Sequence, residues 1–287
     1  MPESPDPKPA GRRRGLRPDV ATLAGLVVAV LGIVGGLLLE KGQIQDVAQG
    51  TAALIVLGGT MGAVLVTTPL PIVIRAGRAL GSVFFEQTGN AGEIIETLIG
   101  FAGKARKNGI VSLEQDAAGI QDPFFRKALN LAVDGTDLQE LRKMMEIDAD
   151  LAEQSREAEA RVWEAAGGYA PTIGIIGAVM GLIQVMKHLE DIKEVGHGIA
   201  VAFVATVYGV GSANIFFLPA AAKLRIRMRE ALLVNEMILE GIIGIVEGLN
   251  PTLIRLKLES YHPRPARKEK APRSTKAPAG EPLAAGN

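Results

Sequence analysis

Four stretches of the chain carry no charged side chain: Val20–Leu39, Val47–Ile74, Ala165–Met186 and Gly198–Ala222. Each is about 20 residues or longer, the length a helix needs to cross a hydrocarbon core. Four such windows in one chain argue against buried helices of a soluble core. They predict four transmembrane spans, near 20–39, 50–72, 167–186 and 198–220. Between the second and third spans the pattern changes. GEIIETLIGFAGKARK places Ile94, Ile95, Leu98 and Phe101 at three-to-four spacing, which predicts an amphipathic helix. That helix should stop at Asn108-Gly109. A second helix is expected from about Ser112. A third should start at Asp137, with Glu140 completing a capping box, and run into the third span. After the fourth span, LRIRMREALLVNEMILEGIIGIVEGL is almost apolar enough for a fifth. Glu236, Glu240 and Glu247 line one stripe of it. Charges at bilayer depth are costly, so an amphipathic cytosolic helix is expected.

The expected fold is therefore an all-α membrane protein with four transmembrane helices and a helical cytoplasmic domain between spans two and three. Along the chain this gives a basic tail (1–18), a hairpin (19–74), the helical domain (75–164), a second hairpin (165–222) and a helical region (223–261). The last stretch, 262–287, is rich in Pro, Ala and basic residues without periodic apolar positions, a composition that stays disordered. Basic residues set the orientation. Arg12, Arg13, Arg14 and Arg17 precede the first span, Arg75 and Arg78 follow the second, and Lys223, Arg225, Arg227 and Arg229 follow the fourth. The other two connectors are mainly acidic, with Glu40, Asp46, Glu190, Asp191 and Glu194. Both termini and the middle domain then face the cytoplasm. The first window is longer than a signal h-region and has no small-residue cleavage site after it, so it reads as a retained anchor.

Composition narrows the chemistry. The chain has 48% hydrophobic residues but only 4% aromatic ones, with 34 glycines, as suits closely packed membrane helices. Small residues four apart (Gly32/Gly36, Gly58/Gly62, Gly177/Gly181 and Ala205/Gly209/Ala213) mark expected packing seams. Basic and acidic residues balance at 31 each, leaving no global field for nucleic acid. With no cysteine, thiol chemistry and disulfides are excluded. No nucleophile–base set, metal cluster or phosphate-binding loop stands out, so an enzyme is not expected. No Asp, Glu, Lys, Arg or His lies inside any window, and ion carriers mark their path with such groups. If ions cross, a partner must supply the charge. Thr206 could help line a wet path, or its hydroxyl could bond back to the carbonyl one turn earlier. Pro171 is expected in the first turn of the third span, where proline is harmless. Pro219, near the cytoplasmic end of the fourth, removes a helix hydrogen bond. A hinge and simple end-of-helix punctuation both fit the two prolines.

Five pieces in one order resemble the MotA family, the channel subunits of the bacterial flagellar stator, over residues 19–260. They are ALIVLGGTMGAVLVTTPL, KARKNGIVSLEQD, APTIGIIGAVMGLIQVMKHLED, ATVYGVGSANIFFLPAAAKL and EGLNPTLIRLKL. The short first loop and four spans separate the chain from the related ExbB and TolQ proteins. The resemblance implies an inner-membrane stator subunit that needs no cofactor. It works with a MotB-type single-span partner carrying the channel Asp, and self-associates as a pentamer around a partner dimer. It implies that Arg106 and Glu114 of KARKNGIVSLEQD meet charged residues of the rotor protein FliG; unaided, the two read as solvated surface charges. It also gives Pro171 and Pro219 to coupling and puts Thr206 near the ion route. Ala178 stands where sodium-driven members have Thr, which leans toward protons. An ExbB/TolQ-like energy transducer and a non-conducting membrane scaffold are the rival readings.

Overall fold

The structure, a computed structural model, describes residues 16–87 and 91–261. The expected tails up to residue 15 and from 262 to 287 lie outside the described residues. Among the described residues the regular structure is helical apart from a small ribbon, in which β1 (Leu16–Pro18) pairs antiparallel with β2 (Phe85–Gln87). The ribbon was not expected. It ties the entry of the first span to the exit of the second.

Helix α1 (Val20–Leu39) is the first span, capped by Asp19, whose carboxylate accepts from the Thr22 N–H at 3.1 Å. The second span, α2, covers residues 50–67 and contains a π turn at Leu54–Gly58. It ends five residues short of the expected 72. Thr68 is extended because Pro69 follows it, and α3 (Leu70–Ala79) restarts beyond that proline. The charge-free window ran through this break because Pro69 and Pro71 do not change its hydropathy.

In the cytosolic domain, α4 (Ala91–Asn108) stops at Gly109, whose φ of 79° favours glycine. Ile95 and Leu98 of its expected face are buried, and Ile94 and Phe101 pack beside them. A 3₁₀ turn at Ile110–Leu113 leads into α5 (Glu114–Gly119). Helix α6 (Pro123–Val133) was overlooked in the sequence, although Asp122 and Pro123 form a start signal. The Asp122 carboxylate accepts from the Phe124 and Phe125 N–H groups at 3.0 Å.

Two long helices run from this domain into the membrane. Helix α7 (Leu138–Lys187) has 50 residues, about 75 Å at 1.5 Å per residue. Asp137 caps it by accepting from the Gln139 and Glu140 N–H groups at 2.9 and 3.3 Å. Helix α8 (Ile192–Val246) is continuous through a π turn at Ala213–Phe217. The helical region expected after the fourth span is thus an extension of that span. Its lower part packs into a core. Ile238, Ile242 and Ile243 are buried in the centre of the cytosolic core with Leu98, Leu141 and Met145. Helix α9 (Pro251–Glu259) closes that core through Ile254 and Leu258.

Four described helices are long and apolar enough to cross a membrane. The outer one, α1, buries no residue within the chain, and nothing lies within 4 Å of Gly32 or Gly36. That expected seam does not form inside one chain. The seam between α7 and α8 does: a Cβ on Gly174 would sit 2.9 Å from the Ala205 carbonyl oxygen.

Candidate functional site

The cytosolic turn is built rigidly. Leu113 is fully buried and Ala117 nearly so, which anchors the turn to the core. Lys104 Nζ bonds Asp116 Oδ2 at 2.6 Å across it. The other three charges of the motif, Arg106, Lys107 and Glu114, are left outside. Arg106 in the last turn of α4 and Glu114 at the start of α5 are exposed, and neither has an ion-pair partner among the described residues. Each suits its helix end, a cation at the C-terminus and an anion at the N-terminus. Arg106 also lines a cavity of about 340 Å³ with Ile110, Thr136, Ile245 and Leu249.

The remaining predicted residues lie in the spans. Pro171 is not in a first turn; it sits 33 residues past Leu138, in the interior of α7. Lacking an N–H, it leaves the Gly167 carbonyl without its usual helix donor. The expectation of a harmless position fails because the cytosolic helix and the third span are one helix. Pro219 is exposed, just after the π turn, where the Leu218 N–H reaches back five residues to the Ala213 oxygen. The Thr206 hydroxyl donates to the Ala202 carbonyl at 3.2 Å, the local back-bond. Ala178 is half-buried beside Gly177, whose Cβ would lie 2.8 Å from that of Ala205. Thr206 and Ala178 are each one position from that contact. Both prolines also adjoin the α7–α8 seam. Ala170 meets Gly209, and Gly167 lies under Leu218. The structure therefore gathers Pro171, Ala178, Thr206 and Pro219 along one helix pair. Arg106 and Glu114 stand apart on the cytosolic domain.

Sequence reasoning missed four further residues. Asp19 is buried, with its carboxylate 2.6 Å from Lys223 Nζ and 2.8 Å from Arg227 Nη2. The hydrogen bond from Lys223, then that from the Thr22 N–H, lower its pKa to about 2. Trp163, the one tryptophan, donates Nε1–H to the Ala76 oxygen at 3.1 Å and stacks on Phe217 at 6.0 Å. Arg225 forks onto both Glu157 and Glu164 at 2.6–3.2 Å. Glu240 pairs with Arg142 at 3.1 Å and with Lys257. Burial pushes its carboxyl up, but the two cations outweigh that and hold it below the usual range. An N-cap directly before an apolar window could have pointed to Asp19. The other three depend on partners 17 to 98 residues away.

Residues 23–109 match the motility protein A N-terminal profile, and residues 116–237 match that of the MotA/TolQ/ExbB proton channel family. Motility protein A of Helicobacter pylori is 35% identical over 243 residues, covering 85% of this chain and 95% of that protein. The chain belongs to the MotA family. Among solved structures, C. jejuni MotAB has a TM-score of 0.81 at 34% identity, covering 86% of this chain and 98% of that one. The flagellar MotAB stator complex from Bacillus subtilis has a TM-score of 0.78 at 32% identity, covering 84% and 95%. Within the MotA family, the two matched segments meet on either side of the 110–115 turn, so Arg106 falls in the first and the α7–α8 pair in the second.

Proposed function

We infer that this chain is a stator subunit of the bacterial flagellar motor, set in the inner membrane. The observation that carries this is its likeness to MotAB stator structures over nearly their whole length. In our reading, the chain and a MotB-type single-span partner form a channel that couples ion flow to torque on the rotor. The partner supplies the channel Asp, because the four charge-free windows contain no Asp, Glu, Lys, Arg or His. Several copies surround a partner dimer, five by family resemblance. Ala178 favours protons over sodium as the transported ion. Both termini and the domain bearing Arg106 and Glu114 lie on the cytoplasmic side, by the distribution of basic residues.

One charge crossing about 150 mV releases roughly 3.5 kcal/mol. That shifts a two-state equilibrium a few hundredfold, enough to tilt a helix pair and far too little to unfold a bundle.

Rotor contact falls to Arg106 and Glu114. Their neighbours Lys104 and Asp116 neutralise each other at 2.6 Å, whereas the two outer charges keep their pairing capacity. Such charges steer encounter and fix register, and they release between steps. Arg106→Glu should impair swimming more than Arg106→Ala, since reversal adds repulsion to lost attraction. Reversing an acidic residue of FliG should restore part of the swimming lost in Arg106→Glu. Equal defects in the two variants, with no rescue by any rotor charge swap, would reduce Arg106 to a solvated surface charge.

A further inference from the structure

Helices α7 and α8 touch without interruption from the outer loop to below the membrane. A Cβ on Gly181 would lie 2.8 Å from the Gly198 oxygen, one on Gly209 would lie 2.6 Å from the Ala170 oxygen, and one on Gly167 would lie 2.6 Å from Leu218 Cδ2. Backbone meets backbone along this line, so sliding one helix over the other would drive main chains together. Below it Trp163 stacks on Phe217 of the π turn. Below that again, the Arg225 guanidinium reaches Glu157 through Nε and Nη2 and Glu164 through Nη1 and Nη2.

The position of Arg225 matters because two weak points lie directly above it. Pro171 interrupts the hydrogen-bond ladder of α7, and the π turn with Pro219 interrupts that of α8. A bend at one weak point alone would splay the helices below. The seam resists this within the membrane through close contact, and at the far end Leu141 and Met145 of α7 share one buried core with Ile238 and Ile242 of α8. Between these two contacts the Arg225 fork spans the helices. Planar bidentate pairing is the geometry that fixes orientation as well as distance. Both carboxyls are held below their usual range, chiefly by the Arg225 hydrogen bonds, so the pairing stays ionised at neutral pH.

We propose that Arg225 is a positioning residue for torque: it clamps the cytosolic extensions of the third and fourth spans so that both swing as one lever. This rests on the stator reading, but the clamp itself has a readout independent of motility.

The chain has no cysteine, so Ile147→Cys with Leu233→Cys places spin labels on exposed sites of α7 and α8 beyond the clamp. The labelled chain, diluted with unlabelled chain in the assembled complex, should give a narrow distance distribution. Adding Arg225→Gln should broaden it. An unchanged distribution overturns the clamp whatever the motor does. In swimming cells, Arg225→Gln should lower torque about fivefold, the scale for residues that carry coupling without touching either ligand. Proton flux per complex should persist. Torque and flux falling together, in proportion to the amount of complex, would make Arg225 merely structural. If Arg225→Gln fails to accumulate, Glu164→Cys with Arg225→Cys replaces it. Joining those two thiols with a short bismaleimide, in a chain without the spin-label cysteines, should restore the torque, and failure to restore it overturns the proposal. A wild-type complex that gives the narrow distribution but neither conducts nor turns a rotor sinks the stator reading alone.

Discussion

Asp19 is one carboxylate holding two distant parts of the chain. It caps α1, and its partners Lys223 and Arg227 belong to the part of α8 that leaves the membrane. Its own N–H donates to the Phe84 oxygen at 2.8 Å, next to the ribbon. Removing one member of a buried ion pair costs roughly 3–5 kcal/mol, because the other charge is left uncompensated. Asp19→Asn should therefore lower the melting temperature of the purified complex clearly, whereas Asp46→Asn in the exposed outer loop should not. The pH dependence has a definite sign. A carboxyl whose folded pKa is about 2 against 3.8 unfolded adds stability above pH 3.8 and loses it as pH falls toward 2. Melting curves of Asp19→Asn should be flatter with pH than wild type between about pH 4 and pH 2. At this scale the sequence was legible only for charges left outside. Arg106 and Glu114 stand in a recognisable motif, whereas the pairing of residue 19 with residues 223 and 227 has no local signature.

Whole elements were legible where apolar residues repeat, and only partly legible where one helix serves two environments: the run of α7 into the third span was expected, the continuation of α8 beyond the fourth was not. The four windows predicted the spans because hydropathy over about 20 residues overrides local detail. The same smoothing hid the break at Pro69, whereas the run of α7 from Asp137 into the third span was expected, and its two halves share one uninterrupted ladder up to Pro171. Ile238, Ile242 and Ile243 read ambiguously for a related reason: a helix at the centre of a small bundle is nearly as apolar as a span. The interior position of Pro171 changes what its replacement should do. Interior proline costs a helix roughly 3 kcal/mol or more, so Pro171→Ala restores a donor to the Gly167 oxygen. The variant should assemble normally and melt no lower than wild type. Its torque should nonetheless fall sharply, because a straightened α7 no longer bends with α8 at Pro219. Thermal melting beside single-motor torque checks this. A less stable Pro171→Ala complex with unchanged torque per assembled unit would return Pro171 to a packing role.

At the scale of the whole molecule, the distribution of charge separates the two tasks of a stator. Ion pairs cluster below the membrane, from Asp19–Lys223 through Arg225–Glu157 to Glu240–Arg142, and they brace the parts that must move together. The charge-free windows offer only hydroxyls and amides. The Thr206 hydroxyl is engaged with the Ala202 carbonyl, and no Asp, Glu, Lys, Arg or His lies in the windows to relay a proton. Conduction by this chain alone would need a titrating relay that its spans do not contain. Vesicles holding the purified chain should therefore show no proton flux above empty vesicles under an imposed potential. Flux should appear when a MotB-type subunit is co-reconstituted and vanish when that subunit's channel Asp is changed to Ala. Because the α7–α8 contact is made inside one chain, the isolated protein should keep its helical content in this experiment, and circular dichroism would separate a closed pathway from an unfolded one. Robust flux from folded chain without a partner would mean that hydroxyls and water suffice. The coupling residue would then have to be sought along α7 and α8, not in a second subunit.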